Sequence, residues 1–190
     1  MSWARVAKRV RVPLGFVFAG VFLWLARPSA ASMAWSLVLV GPGVWVRAYA
    51  SGYVKKNREL TTTGPYAHTR NPLYLGSMMI AFGFAAASRS WWIAGLLALL
   101  FAAVYAPVIR GEEEYLRAAF AGFDDYARRV PRLLPRLTAA AGPATGGGAP
   151  DGGFSPALYR KHREYNALVG AMAIYAALAV RLYVDRWHHP

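Results

Sequence analysis

Five long blocks of apolar residues constrain this 190-residue chain more than any other feature of its sequence. A helix that crosses a bilayer needs about 20 apolar residues, so such blocks favour membrane helices over the core of a soluble domain. The predicted spans cover roughly residues 10–26, 33–50, 73–87, 91–109 and 166–184. We therefore expect an all-α fold, a polytopic membrane helical bundle of about five transmembrane helices.

The positive charges predict how these spans are oriented. The chain carries a formal net charge of +13, and 18 of its 22 Lys and Arg residues fall on one side if the N-terminus is cytoplasmic. The positive-inside rule therefore favours a cytoplasmic N-terminus. Basic side chains beside the spans also attract anionic head groups, by about 1 kcal/mol each. Membrane lipids are thus expected partners, and nucleic acid is not.

Composition divides the chain into three parts. Residues 1–137 are expected to form the membrane core, residues 138–153 a flexible Gly/Ala/Pro linker, and residues 154–190 a basic segment with the last span. The basic, apolar start superficially resembles a signal peptide, but further spans follow, so we expect it to be retained. Only "SRS", residues 88–90, separates the third and fourth spans, which predicts a tight hairpin. Arg47 is the ionisable residue nearest the middle of a span, and it can snorkel.

Metal and disulfide chemistry are not indicated. The chain has no cysteine, which excludes disulfides, thiolate catalysis and Cys-based metal sites. No second His, Asp or Glu has metal-ligand spacing to His68, so we predict no metal site. The sequence does not specify an oligomeric state.

Two segments between the spans carry polar chemistry, and the first is "TTTGPYAHTRNPLYLG", Thr61 to Gly76. Gly64-Pro65 breaks regular structure, and Asn71-Pro72 is a favoured helix start. A turn and a helix start do not explain why four other residues of the segment are polar or aromatic: Tyr66, His68, Arg70 and Tyr74. Interfacial tyrosines are common, but the free N–H groups at the start of the third span also form a ready anion site.

The second polar segment is "RGEEEYLRAAFAGFDDYARRVPRLLPRL", Arg110 to Leu137. Its apolar spacing predicts an amphipathic interfacial helix over residues 111–123, with the acids near its N-terminus. The prolines of "VPRLLP" then favour extended chain. If the third and fourth spans form a hairpin, we expect residues 70–74 near residues 110–113. Such a site could hold a polar cofactor and face a lipid-borne substrate.

These segments resemble integral-membrane methyltransferases typified by isoprenylcysteine carboxyl methyltransferase and its bacterial relatives, and phospholipid N-methyltransferases share the outline. The resemblance lies in "GPYAHTRNPLYLG", then "R-x-E-E", then "F…Y-x-x-R-V-P-R-x-x-P", over about Thr61 to Pro135. It implies S-adenosylmethionine as methyl donor, bound at the cytoplasmic face of a bacterial-type inner membrane without a Rossmann domain. Consistent with this, the chain has no glycine-rich dinucleotide fingerprint.

The resemblance also implies roles for particular residues. Arg70 and Arg110 match the positions where the family places arginines near the reacting groups, and they are the predicted catalytic residues. The predicted cofactor-binding residues are Gly64, Tyr66, His68, Asn71, Pro72, Tyr74, Leu75, Gly76, Glu112 and Glu113. The isoprenylcysteine enzymes typically carry His at the position of Asn71, and Phe-Gly where this chain has Phe120-Ala121. Both departures weaken the inference about substrate more than the inference about cofactor.

The chemistry leaves the methyl acceptor open. Transfer from an activated sulfonium mainly needs alignment and desolvation. A carboxylate acceptor is ionised at neutral pH and suits an arginine fork, so we favour carboxylate O-methylation of an amphiphilic or isoprenoid-bearing substrate. The alternative, phospholipid amine N-methylation, needs a proton acceptor such as Glu112, Glu113 or His68. A small membrane transporter or assembly factor is the non-enzymatic alternative, although no span carries an acid in its middle.

Overall fold

The structure, a computed structural model, describes residues 3–55, 59–140 and 153–188. Within these ranges the chain forms helices and turns and no strand, as the apolar blocks predict. The helices are α1 (Trp3–Leu25), α2 (Ala30–Ser51), α3 (Pro72–Ser88), α4 (Trp91–Leu100), α5 (Ala106–Ala119), α6 (Phe123–Arg129), α7 (Pro156–Lys161) and α8 (Tyr165–His188). A 3₁₀ turn at Gly64–Ala67 precedes α3, and a π-helical turn at Phe101–Tyr105 joins α4 to α5.

Each predicted span coincides with helical structure. Among the described residues, however, two helices are long and apolar enough to cross a membrane, fewer than the predicted five. These two are Trp91–Ala119 and Tyr165–Asp185. The apolar helix Pro72–Ser88 is shorter. Helix α2 has 22 residues, but it contains Gly41-Pro42-Gly43 and Arg47, which lower its mean hydropathy.

The fourth predicted span and the predicted interfacial helix form one continuous helical run of 29 residues. The helix predicted over residues 111–123 therefore differs at both ends, because it has no separate start and it stops at Ala119. Phe120 N still donates to Leu116 O at 2.9 Å, but Phe123 N donates to Phe120 O at 3.0 Å. That shorter turn interrupts the helix before α6 begins.

The chain separates into two compact units. Unit 1 consists of Met1–Gly41, Met79–Glu113 and Val169–Pro190, and unit 2 consists of Pro42–Met78 and Glu114–Leu168. Most of the predicted linker, residues 141–152, lies outside the described residues. Lys56 and Arg58, which contribute to the predicted charge asymmetry, also lie outside them.

In unit 1, α3 and α4 form the tight hairpin that "SRS" predicts. Helix α3 ends at Ser88, Arg89 takes a left-handed φ of +56°, and α4 begins at Trp91. The rings of Phe82 and Phe101 then stack across the hairpin, with centroids 6.2 Å apart. The turn is thus closed by local backbone geometry and by aromatic packing.

Helices α2, α3 and α8 also meet within unit 1. The hydroxyls of Ser36 and Tyr175 lie 2.7 Å apart, and the Phe84 ring lies 4.9 Å from the Tyr175 ring. A Cβ added at Gly83 would lie 2.6 Å from Val40 Cγ2 and 3.1 Å from Val40 N. The backbones of α2 and α3 therefore approach closely at a residue without a side chain, as small residues allow in membrane helices.

We expect Gly83→Ala to lower the free energy of unfolding by about 1–3 kcal/mol, because the new methyl group collides with the β-branched Val40. The control is Gly95→Ala on α4, where nothing lies within 4 Å of an added Cβ. It should be neutral or stabilising by up to about 1 kcal/mol. Denaturant unfolding of detergent-purified protein, followed by circular dichroism, makes the comparison. Equal stability of the two variants would contradict the close approach of α2 and α3.

Candidate functional site

The predicted site segment, Gly64–Gly76, lies in unit 2 and consists of the 3₁₀ turn, a short connection and the first turn of α3. Gly64 has a φ of +58°, and a Cβ there would lie 2.5 Å from Tyr53 Cε1. Glycine is therefore required both by the backbone conformation and by the ring packed against it. Tyr66 is buried, and Pro72 begins α3, where its fixed φ suits the first helical position.

The end of α6 and the non-helical chain after it, residues 127–140, run beside this segment, and we call them the strap. Val130 is extended, with φ −116° and ψ 126°. Three backbone hydrogen bonds join the strap to the site segment: Arg70 N to Pro131 O, Arg136 N to His68 O and Ala140 N to Ala67 O, each 2.9 Å. The connection between the 3₁₀ turn and α3 is thus held along its length.

Four consecutive side chains of the site segment also bond carbonyl groups of the strap. They are His68 Nδ1 with Arg136 O (2.8 Å), Thr69 Oγ1 to Leu133 O (3.0 Å), Arg70 Nη1 to Ala127 O (2.8 Å) and Asn71 Nδ2 to Arg132 O (2.9 Å). His68 and Asn71 were predicted to bind the cofactor, and Arg70 to act in catalysis. In the structure these polar atoms bond carbonyls in the last turn of α6 (Ala127) and in the non-helical chain after it, none of which has a helical donor.

A buried aromatic cluster lies beneath these bonds. Phe123, Tyr126 and Val130 are 1%, 4% and 2% exposed and pack together with Leu116. The Tyr126 hydroxyl donates to Tyr66 O at 2.8 Å. Apolar burial and a buried hydrogen bond therefore fix the start of the strap against the 3₁₀ turn.

Close packing against α2 requires a glycine at position 76. A Cβ there would lie 2.7 Å from Gly43 O and 2.7 Å from Arg47 Cγ. Arg47 Nη1 donates to Leu73 O at 3.3 Å and also to Ser77 Oγ. The first turn of α3 is thus tied to α2 within unit 2.

The other predicted site residues divide between the two units. Tyr74 and Leu75 are half-buried on the first turn of α3 in unit 2, whereas Arg110, Glu112 and Glu113 are on α5 in unit 1. Arg110 is exposed, Glu112 is half-buried and Glu113 is 5% exposed. The predicted approach of the acidic pair to the site segment stays a prediction.

Thr69 and Tyr126 were not among the predicted site residues, and the structure places both at the strap. Thr69 is 2% exposed and stands between His68 and Arg70. Tyr126 is the tyrosine of "Y-x-x-R-V-P-R", so the motif itself could have signalled it. Among the described residues, no group of three or more His, Cys, Asp or Glu side chains could hold a metal ion.

Residues 42–122 match the model of the phospholipid methyltransferase family. The match contains the whole site segment and, over that range, confirms the resemblance to membrane methyltransferases. No solved structure matches the chain.

Two curated relatives are similar to part of the chain. The nickel-cobalt-cadmium resistance protein NccN of Alcaligenes xylosoxydans xylosoxydans is 45% identical over 95 residues, which are 50% of this chain and 44% of the relative. The cobalt-zinc-cadmium resistance protein CzcN of Cupriavidus metallidurans is 42% identical over 110 residues, which are 58% of this chain and 50% of the relative. The chain therefore spans about half the length of these relatives.

We expect Tyr126→Phe to lower the free energy of unfolding by about 1–2 kcal/mol, because the buried Tyr66 carbonyl loses its donor while the ring remains. Amide hydrogen exchange at Arg136 and Ala140 should become faster as the strap loosens. Tyr165→Phe, which changes an exposed tyrosine, is the control and should alter neither quantity. Unchanged stability and exchange in Tyr126→Phe would show that the hydroxyl does not hold the strap.

Proposed function

We propose that the chain is an S-adenosylmethionine-dependent membrane methyltransferase that acts on an amphiphilic, lipid-like or prenylated acceptor. The observation that carries the proposal is the match of residues 42–122 to the phospholipid methyltransferase family. The two helices that are long and apolar enough to cross a membrane support membrane association. The proposal includes the predicted five-helix arrangement in an inner membrane, with the N-terminus and the site on the cytoplasmic side.

The donors and acceptors available on the chain suit this cofactor. Ionised carboxylates only accept hydrogen bonds, so Glu112 and the nearly buried Glu113 suit the ammonium group and ribose hydroxyls of S-adenosylmethionine. The half-buried Tyr74 offers an aromatic face of the kind that attracts cations, which suits a sulfonium. When bound, the cofactor would supply a methyl group already activated by the positive sulfur.

The chain's main contribution to such a transfer is alignment. An in-line displacement at an activated methyl group depends on holding donor and acceptor in the reacting geometry. The backbone of the site segment is held on both sides in a way that suits this alignment. The strap bonds residues 68–71, and Arg47 of α2 bonds Leu73 O in the first turn of α3. Residues that hold this backbone contribute to alignment without touching substrate.

The acceptor we favour is a phospholipid amine. A carboxylate was the acceptor that the sequence favoured, because an arginine fork would orient it. In the structure Arg70 Nη1 donates to Ala127 O, so this guanidinium also has a structural role. Orientation of a carboxylate would then rest more on Arg110 than on Arg70. An amine acceptor needs a base instead, for which Glu112 and Glu113 are candidates. The name of the matched family supports a phospholipid acceptor, whose head-group amine would be the methylated group. Carboxylate O-methylation is the second candidate.

The names of the two relatives support an alternative of a different class. NccN and CzcN are named for resistance to nickel, cobalt, cadmium and zinc. A non-enzymatic transporter or assembly factor in metal resistance would have no use for a methyl donor. Binding of S-adenosylmethionine therefore separates the two classes.

The test of cofactor binding is calorimetric titration of the detergent-purified chain with S-adenosylmethionine and S-adenosylhomocysteine. We expect micromolar binding by the wild type and at least about a tenfold loss in the double variant Glu112→Gln/Glu113→Gln, because hydrogen bonds to charged acceptors are removed. Glu114→Gln, at the exposed next residue, is the matched control and should bind normally. No binding by folded wild-type protein would overturn the methyltransferase proposal.

The class of methyl acceptor can be identified from the stability of the methylated product to mild base. Labelled S-adenosylmethionine should transfer label to vesicles that contain phosphatidylethanolamine, and the label should resist mild base because N-methyl amines do not hydrolyse. A prenylated cysteine or a fatty acid, offered in parallel, would instead give a base-labile methyl ester. Label only in the ester would replace the amine proposal with carboxylate O-methylation, and label in neither would contradict both.

A further inference from the structure

The C-terminal segment, residues 153–164, contacts α2 at several points within unit 2. The Phe154 ring occupies the space beside Gly52, where an added Cβ would lie 2.3 Å from Phe154 Cδ2. Ser155 N donates to Gly52 O at 2.9 Å, and His162 Nδ1 lies 3.0 Å from Ser51 O. The segment that returns from the predicted linker is therefore docked on the end of α2.

One line of contacts leads from this segment to the first residue of the candidate site. Phe154 stacks with Tyr49 at an interplanar angle of 9°, with centroids 6.2 Å apart. The Tyr49 and Tyr53 hydroxyls lie 2.9 Å apart, and Tyr53 packs against Gly64. The hydrogen bond with Tyr49, together with burial, raises the pKa of Tyr53. An unbroken series of aromatic contacts thus joins Phe154 to the 3₁₀ turn.

A second line of contacts leads to the other end of the candidate site. Glu164 Oε2 accepts from Arg47 Nη2 at 2.8 Å and from Arg47 Nε at 3.1 Å. The two side chains are 13% and 24% exposed, so the pair of Arg47 with Glu164 is largely buried. Its remaining nitrogen, Nη1, bonds Leu73 O and Ser77 Oγ on the first turns of α3. The planar guanidinium therefore links Glu164 to α3 in a fixed geometry.

We propose that Glu164 is a positioning residue for the methyl-transfer site and acts through Arg47 on the start of α3. Without the carboxylate, Arg47 loses the two hydrogen bonds that orient its guanidinium, and the bonds from Nη1 to Leu73 and Ser77 lose their support. Glu164 lies outside residues 42–122, so a residue beyond the family match positions the segment inside it. Phe154 supports the opposite end of that segment. This inference rests on the proposed function.

The experiment measures three properties of the full chain in detergent for wild type and variants: the Kd for S-adenosylhomocysteine, amide hydrogen exchange over residues 73–77, and the melting temperature. Glu164→Gln keeps the shape of the side chain and removes its charge, and Glu164→Asp restores the charge. Glu59→Gln is the charge-matched control, because Glu59 forms a surface pair with Lys55 at 3.0 Å. Tyr175→Phe is the stability control, because it removes the hydroxyl near Ser36 in unit 1.

We expect Glu164→Gln to weaken binding about tenfold and to speed exchange over residues 73–77, because a hydrogen-bonded charge is lost. Glu164→Asp should recover part of the affinity, and Glu59→Gln should bind as wild type does. Tyr175→Phe should lower the melting temperature without changing the Kd. Phe154→Leu, an independent variant, should weaken binding by a smaller factor.

Two results would overturn the positioning role while leaving the proposed function intact. The first is a Glu164→Gln variant that binds S-adenosylhomocysteine as tightly as the wild type does. The second is a Tyr175→Phe variant that loses as much affinity as Glu164→Gln does, which would make the loss a general consequence of lower stability. A folded wild-type chain that binds no S-adenosylhomocysteine would overturn the proposed function, and this inference with it.

Discussion

The carbonyl groups of the strap have no helical donors of their own, and the short connection before α3 supplies donors to them. After Arg129 the strap is not helical, and Pro131 and Pro135 disfavour a helix there, so its carbonyls need donors from elsewhere in the chain. The consecutive polar residues 68–71 meet this requirement with their side chains. The arrangement of unit 2 follows from this pairing, because it sets the path of the chain on both sides of the candidate site.

Features that depend on neighbouring residues could be predicted from the sequence. Apolar blocks indicated the positions of the helices, and Asn71-Pro72 indicated where α3 begins. The three residues of "SRS" predicted a tight hairpin, since no longer connection is available. The end of α5 was predicted less well, because the apolar spacing continues to Phe123 although the helix stops at Ala119. The spacing of apolar residues predicts which face of a helix is buried more reliably than it predicts the residue at which the helix ends.

The partners of polar side chains could not be predicted, because they are distant in the sequence. His68 bonds a carbonyl 68 residues away, and Arg47 pairs with an acid 117 residues away. A sequence motif shows that an arginine or an asparagine stands at a turn, but not whether it faces a ligand or a backbone carbonyl. The family resemblance assigned Arg70 and Asn71 to the active site, and that assignment stays a prediction. The structure gives both residues a bond to the strap.

This difference changes what the motif implies about the reaction. If the polar residues of "HTRN" hold the strap, they are needed for alignment whatever the acceptor is, and their presence does not distinguish a carboxylate from an amine. Under the proposed function, the candidates for making that distinction are Arg110, Glu112 and Glu113, all outside residues 68–71. A carboxylate acceptor requires a cation such as Arg110 to orient it. An amine acceptor requires a proton acceptor, for which Glu112 and Glu113 are the candidates. Arg110 is exposed whereas Glu113 is nearly buried, so the acid is the more enclosed by protein. Under the proposed function, this enclosure would strengthen electrostatic contacts between the acid and a bound amine, which supports the amine as acceptor.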